Sequence, residues 1–137
     1  MSCLFCEIIA TKEILIEKGE VYLVGENEEA LAILDKFPAS DGHTLLITKK
    51  HFTNISEIDE ESWKHLLLLM KEIIGKLEVV FKPAGFNIIS NINEIAAQSI
   101  FHLHIHVIPK YNKEKGFIWT AHPVLKYSLE QVAEKLK

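Results

Sequence analysis

Residues 101–108 read Phe-His-Leu-His-Ile-His-Val-Ile. Strict alternation over this length is a strand signal, because side chains on a strand point to opposite faces in turn. His102, His104 and His106 therefore share one face, and Leu103, Ile105 and Val107 take the other. The second face needs an apolar cover, so the chain must supply a helix or sheet to lie on it. Adjacent histidines on such a strand sit roughly 6–7 Å apart and the outer two about 13 Å apart.

The cover is legible upstream. Asp59 is an N-cap, followed by Glu60 and Glu61, whose charges suit the first turn of a helix. The helix then runs to about Phe81, with Trp63, Leu66, Leu67, Met70, Ile73, Ile74, Leu77 and Phe81 spaced as one apolar stripe. Pro83-Ala84-Gly85 ends it. Leu4 to Thr11 reads as a short helix with Leu4, Ile8 and Ile9 apolar. Val21–Val24 and Ala30–Leu34 form a hairpin about the Gly25–Glu29 turn region. Thr44–Thr48, Phe86–Asn91 and Ile100–Pro109 are further strands. Ser128 caps a final amphipathic helix through Val132 and Leu136. Together these elements add up to a mainly antiparallel sheet with one long covering helix, an α+β fold. The 137 residues show no repeat or linker, so residues 1–137 form one domain, with a core at 3–110 and a tail at 111–137.

Composition narrows the partners. Fifteen basic residues against nineteen acidic give −4, which disfavours a broad grip on nucleic acid or an anionic membrane. No apolar run has the length of a membrane span, and MSCLFCEII lacks the basic start of a signal peptide, so a cytoplasmic location is expected.

The histidine face has three readings. A solvated face would use Thr, Lys, Glu and Ser instead. Two histidines at i, i+2 suit a metal, although the outer two are too far apart for one ion to hold all three. A nucleophilic role fits the chemistry best: a neutral imidazole attacks phosphorus and leaves again readily, and flanking histidines supply hydrogen-bond donors. Cys3 and Cys6, three residues apart, suit metal or redox chemistry better than a structural disulfide. On their own, Asp35 is a turn carboxylate, Asn91 and Gln98 are loop residues, and Phe5, Ile9, Ile33 and Leu34 are core. Lys49, Lys50, His65 and His122 read as surface or loop residues.

The stretch Ala96-Ala97-Gln98-Ser99-Ile100-Phe101-His102-Leu103-His104-Ile105-His106-Val107-Ile108-Pro109 resembles the signature of the histidine triad family of nucleotide hydrolases and transferases. Leu4-Phe5-Cys6-Glu7-Ile8-Ile9 resembles that family's opening helix. Ala32–Pro38 is similar to its nucleoside-binding segment, and Gly42-His43-Thr44 through His51 to its Gly-His-Thr block. The resemblance implies a five-stranded antiparallel sheet under one long helix, with short terminal helices, continuing into a second sheet in a homodimer. It implies His104 as the nucleophile at the α-phosphorus of a purine nucleotide, with no catalytic metal required. His102 would orient it, His106 would contact the phosphate and the leaving atom, and His43 would stand at the edge. Asp35 would accept from ribose hydroxyls. Asn91, Gln98 and Ser99 would contact phosphate or substrate oxygens. Phe5, Ile9, Ile33 and Leu34 would line the base slot.

In the zinc-binding branch of that family, a Cys-x-x-Cys pair joins two histidines around a structural zinc, which here implies Cys3, Cys6, His51 and His102. Three departures stand out: Ala97 and Asn93 where the family has Gly, and Thr48 where it has Pro. The activity implied is hydrolysis of adenosine phosphoramidates, aminoacyl adenylates or dinucleoside polyphosphates. The alternatives are a non-catalytic nucleotide-binding protein and a zinc-dependent hydrolase.

Overall fold

A computed structural model describes residues 2–137. Helix α1 (Leu4–Glu17) is followed by strands β1 (Leu23–Glu26), β2 (Ala30–Leu34) and β3 (Thr44–Thr48). Helix α2 (Glu60–Phe81), strands β4 (Gly85–Ile89) and β5 (His104–Lys110), and helix α3 (Leu129–Lys135) complete the chain. The five strands form one antiparallel sheet in the order β1-β2-β3-β5-β4. The expected fold class is therefore present.

Helix α2 covers one face of the sheet. Leu66, Leu69, Ile73 and Leu77 pack against Ala30, Ala32, Leu46, Leu103, Ile105 and Val107. Asp59 caps the helix as expected, its Oδ1 accepting from the Ser62 amide at 2.7 Å. The stripe is rotated from the expected one. Leu69 is 1% exposed, while Leu67 and Phe81 are 37% and 46% exposed. Four leucines in a row, Leu66 to Leu69, leave the helical phase open in the sequence, and the sheet decides it.

Helix α1 packs on the other face, where Phe5, Val21, Ile33, Leu45 and Ile47 form a second cluster. It runs six residues past the expected end at Thr11. Thr11 bends the helix (φ −122°) and its hydroxyl donates to the Glu7 carbonyl at 2.8 Å, but Leu15 beyond it still packs on this cluster. Strand β1 starts at Leu23 rather than Val21, because the Val21 amide donates back to the Leu15 carbonyl. Strand β4 starts at Gly85 and ends at Ile89, two residues short of Asn91.

Strand β5 also begins later than expected. Residues 100–102 bend away from β3, and the Leu103 amide donates to the Phe52 carbonyl at 2.7 Å instead of joining the ladder. The ladder itself opens with Ile47 opposite His104. His102 is thus released from strand geometry just ahead of the site. Helix α3 has the expected Ser128 cap, reciprocated by Gln131, but buries no residue. Among the described residues no helix is long and apolar enough to cross a membrane.

Gly42 precedes β3 with φ +92°, and a Cβ there would lie 2.8 Å from Leu77 Cδ2 and 3.2 Å from Pro109 Cγ. Gly42→Ala therefore combines left-handed backbone strain with overpacking, and should cost about 2–4 kcal/mol. A urea midpoint equal to wild type would contradict this.

Candidate active site and metal centre

Two rows of side chains cross the sheet. Leu23, Ile33, Leu45 and His106 are opposed in register on β1, β2, β3 and β5; Leu31, Ile47 and His104 form the next row. An apolar floor therefore leads directly to two histidines. Phe5 and Ile8 of α1 wall a cavity of about 560 Å³ above it, which His43, His104 and His106 also line.

The hydrogen bonds fix which nitrogen of each ring is free. His104 Nδ1 lies 2.7 Å from the His102 carbonyl, which only accepts. The Nδ1 of His104 must therefore carry the proton, and Nε2 keeps its lone pair for a ligand. Burial lowers the pKa of His104, opposed by that bond and by Asp35, so the lone pair stays available. The Phe5 ring stands edge-on to His104 with centroids 5.0 Å apart.

His43 is buried, and its Nδ1 accepts from the Ala39 amide at 3.0 Å. In the neutral ring the proton then sits on Nε2. That nitrogen faces His106 Nδ1 at 2.9 Å and Asp35 Oδ2 at 3.3 Å. Asp35 Oδ1 accepts from the Phe37 amide at 2.8 Å. Asp35, His43 and His106 are close enough to suggest a cation site. The Ala39 bond opposes it, since a neutral His43 ring offers no lone pair at Nε2. This counts against water activation by a metal at these three residues.

The other cluster has the opposite logic. His102 is fully buried, and its Nε2 donates to the Thr48 carbonyl at 2.7 Å, leaving a lone pair on Nδ1. That Nδ1 lies 3.3 Å from Cys3 Sγ, 3.5 Å from Cys6 Sγ and 3.1 Å from His51 Nδ1. Cys6 Sγ is 3.3 Å from His51 Nδ1. Tetrahedral zinc with nitrogen and sulfur ligands separates its ligand atoms by roughly 3.3–3.8 Å. The four residues therefore fit a zinc ion in donor type, and the sulfur–nitrogen spacings fall in that range, with the His51–His102 pair slightly closer at 3.1 Å.

The structure does not bring all the expected residues to the cavity. Phe5, Ile33, Leu34, Asp35 and Ser99 line it, but Ile9 does not; Ile8, one residue earlier, takes that place. Ile9 packs instead on the cluster beneath α1. Gln98 is buried and its amide is used up: Oε1 accepts from the Asn93 amide, and Nε2 donates to the Thr53 and Ile100 carbonyls. Asn91 Nδ2 points to the Ala97 carbonyl at 3.4 Å. Gln98 thus holds the loop that carries Ser99, and neither Gln98 nor Asn91 is among the residues lining the cavity. Asn93 and Ala97, where the family has glycine, both have positive φ, at 72° and 73°. The sequence missed Ala39 and Thr48, because both act through backbone groups that any residue type supplies.

A family model described as the HIT domain matches residues 18–113. The chain belongs to the HIT family. An uncharacterised HIT-like protein of Mycoplasma genitalium is 43% identical over 95% of this chain and 88% of its own length. The adenosine 5′-monophosphoramidase hnt1 of Schizosaccharomyces pombe is 34% identical over the full length of both chains. The crystal structure of a HIT family member from Bacillus subtilis superposes with a TM-score of 0.83 at 34% identity, covering 99% of this chain and 95% of that one. A zinc-bound histidine triad protein from Mycobacterium smegmatis gives 0.71 at 31% identity, covering 85% and 81%.

His106 makes the site's acid response readable. Burial, then the neighbouring His104 and His43, hold its pKa down to about 4, although Asp35 opposes them. An unfolded histidine titrates near 6.5. Between those values the unfolded chain binds more protons, so this residue's contribution to stability is lost as pH falls from about 7 towards 4. The melting temperature of wild type should drop more steeply over that range than that of His106→Asn. Parallel curves would contradict the assignment.

Proposed function

We propose that this HIT protein hydrolyses purine nucleotide conjugates at the α-phosphate through a covalent nucleotidyl-histidine on His104. The observation that carries the reading is the free Nε2 of His104 at the end of an apolar cavity, with its opposite nitrogen tied to the His102 carbonyl. Such a ring is held in the tautomer that attacks, as a nucleophile of this kind requires.

The base lies against Phe5, Ile8, Ile33 and Leu34, and the ribose hydroxyls donate to Asp35, which accepts only. His104 Nε2 forms a bond to phosphorus as the bond to the leaving group breaks, and a leaving amine takes up a proton from solvent. Water then attacks the same phosphorus, releases the nucleoside monophosphate, and returns its proton to solvent. When His106 Nδ1 takes the His43 hydrogen, its Nε2–H is the donor left for a phosphoryl oxygen. Ser99 supplies a second hydroxyl contact. The candidate substrates are adenosine phosphoramidates, aminoacyl adenylates and dinucleoside polyphosphates; hnt1 is named for the first class.

Cys3, Cys6, His51 and His102 would hold a structural zinc, supported by their spacing and by the zinc-bound mycobacterial relative. A bound ion there would tie α1 to the segment that precedes β5. The homodimer reading is supported by β4, an edge strand carrying Ile88 exposed, and by exposed Val79, Val80 and Phe81 at the end of α2. Light scattering should give twice the 15.6 kDa chain mass.

The decisive assay compares adenosine 5′-phosphoramidate with diadenosine tetraphosphate on wild type and His104→Ala, with intact-mass detection of an adenylylated chain. Wild type should release AMP, and the variant should lose activity by about 10³-fold or more. Nucleotide binding without turnover by wild type would favour the binding-protein alternative. Native mass spectrometry should show one zinc per chain, and stripping it with a chelator should lower the melting temperature. Full stability and mass without zinc would sink the metal assignment.

A further inference from the structure

The hydrogen on His43 Nε2 has two acceptors within reach: His106 Nδ1, which is hydrogen-bonded, and Asp35 Oδ2, which stands farther off. The Ala39 amide donates to His43 Nδ1 at 3.0 Å, so His43 has a single hydrogen to give, on Nε2. His106 Nδ1 stands 2.9 Å from that nitrogen and Asp35 Oδ2 stands 3.3 Å from it. Asp35 Oδ2 is also 3.8 Å from His106 Nδ1. When His43 donates to His106, the proton of a neutral His106 must lie on Nε2, because an Nδ1–H would point at the Nε2–H of His43. When His43 turns its hydrogen to Asp35, that constraint on His106 is lifted.

We propose that His43 is a positioning residue through which occupation of Asp35 by ribose hydroxyls fixes His106 as an Nε2–H donor towards the phosphate. Two hydroxyl donors, added to the Phe37 amide already on Oδ1, weaken the pull of Asp35 on the His43 hydrogen. His43 then gives that hydrogen to His106 Nδ1. The sugar is thereby read in the chemical step as well as in binding. This rests on the hydrolase reading above, in which Asp35 meets the ribose and His106 meets the phosphate. It adds a link between the two that neither contact requires.

The link is visible without turnover. In wild type labelled with ¹⁵N-histidine, adenosine should move the His106 ring nitrogens towards the Nε2–H pattern, while 2′,3′-dideoxyadenosine at saturation should not. The same His106 pattern with both nucleosides overturns the proposal. Kinetics give an independent arm. The saturated single-turnover rate with the 2′,3′-dideoxy phosphoramidate should fall about three- to tenfold below the ribose substrate, a part of the roughly 10²–10⁴-fold that a positioned proton donor contributes. His43→Gln places a carboxamide with two hydrogens at the same reach, one for Asp35 and one for His106. In that variant the two substrates should differ in KM but not in rate. A wild-type difference confined to KM, or a rate difference that survives in His43→Gln, overturns the coupling. If no substrate yields AMP, the hydrolase reading fails instead, and the nitrogen shifts still decide the coupling.

Discussion

His102 is the residue on which the site depends. Its ring is clamped from one side by the Thr48 carbonyl and from the other by the cysteine–histidine cluster, while its own carbonyl holds the proton of His104. One buried residue thus faces the cysteine–histidine cluster with its side chain and His104 with its backbone. The order matters physically: Thr48 sets the His102 tautomer, which frees Nδ1 for the cluster, and the His102 carbonyl then sets the His104 tautomer. A disturbance anywhere along this line reaches the free Nε2 of His104.

The sheet turns that local geometry into a pocket. Because β3 lies between β2 and β5, the apolar residues Ile33 and Leu45 stand in register with His106, and Leu31 and Ile47 with His104. The apolar floor of the cavity and the two histidines are therefore parts of one continuous surface. Helix α2 stabilises the sheet from the opposite face and leaves this surface to α1. Burial on the site face lowers the pKa of both His104 and His106, which favours the neutral imidazoles.

The loop ahead of β5 has a structural task of its own. Gln98 spends its carboxamide on the Asn93, Thr53 and Ile100 backbone, and its neighbours Ala97, Ser99 and Ile100 line the cavity. Asn93 and Ala97 both adopt positive φ in the same loop, Ala97 as a left-handed residue (ψ 21°) and Asn93 with an extended ψ of 157°, a region that favours glycine, so both positions are strained. A Gln before a Ser near histidines invites a phosphate-binding reading. The backbone groups that consume the Gln are supplied by Thr53 and Asn93, neither of which carries a sequence signal for that role.

The sequence by itself determined the chemistry-bearing strand, the long covering helix with its Asp59 cap, the β3 limits and the identity of the histidines and cysteines. Those follow from local periodicity and capping, which act over a few residues. Tertiary structure alone decided the phase of α2, since an unbroken leucine run satisfies more than one face. It decided that α1 outlasts Thr11, that Ile8 and not Ile9 faces the cavity, and that His102 leaves the ladder before β5 begins. It also decided the tautomers of three histidines, because each is set by a backbone group that only the folded chain brings to the ring: Thr48, far away in sequence, for His102, and the nearby Ala39 for His43 and His102 for His104. Residue type fixes which groups can donate or accept; only the folded chain fixes which partner each one meets.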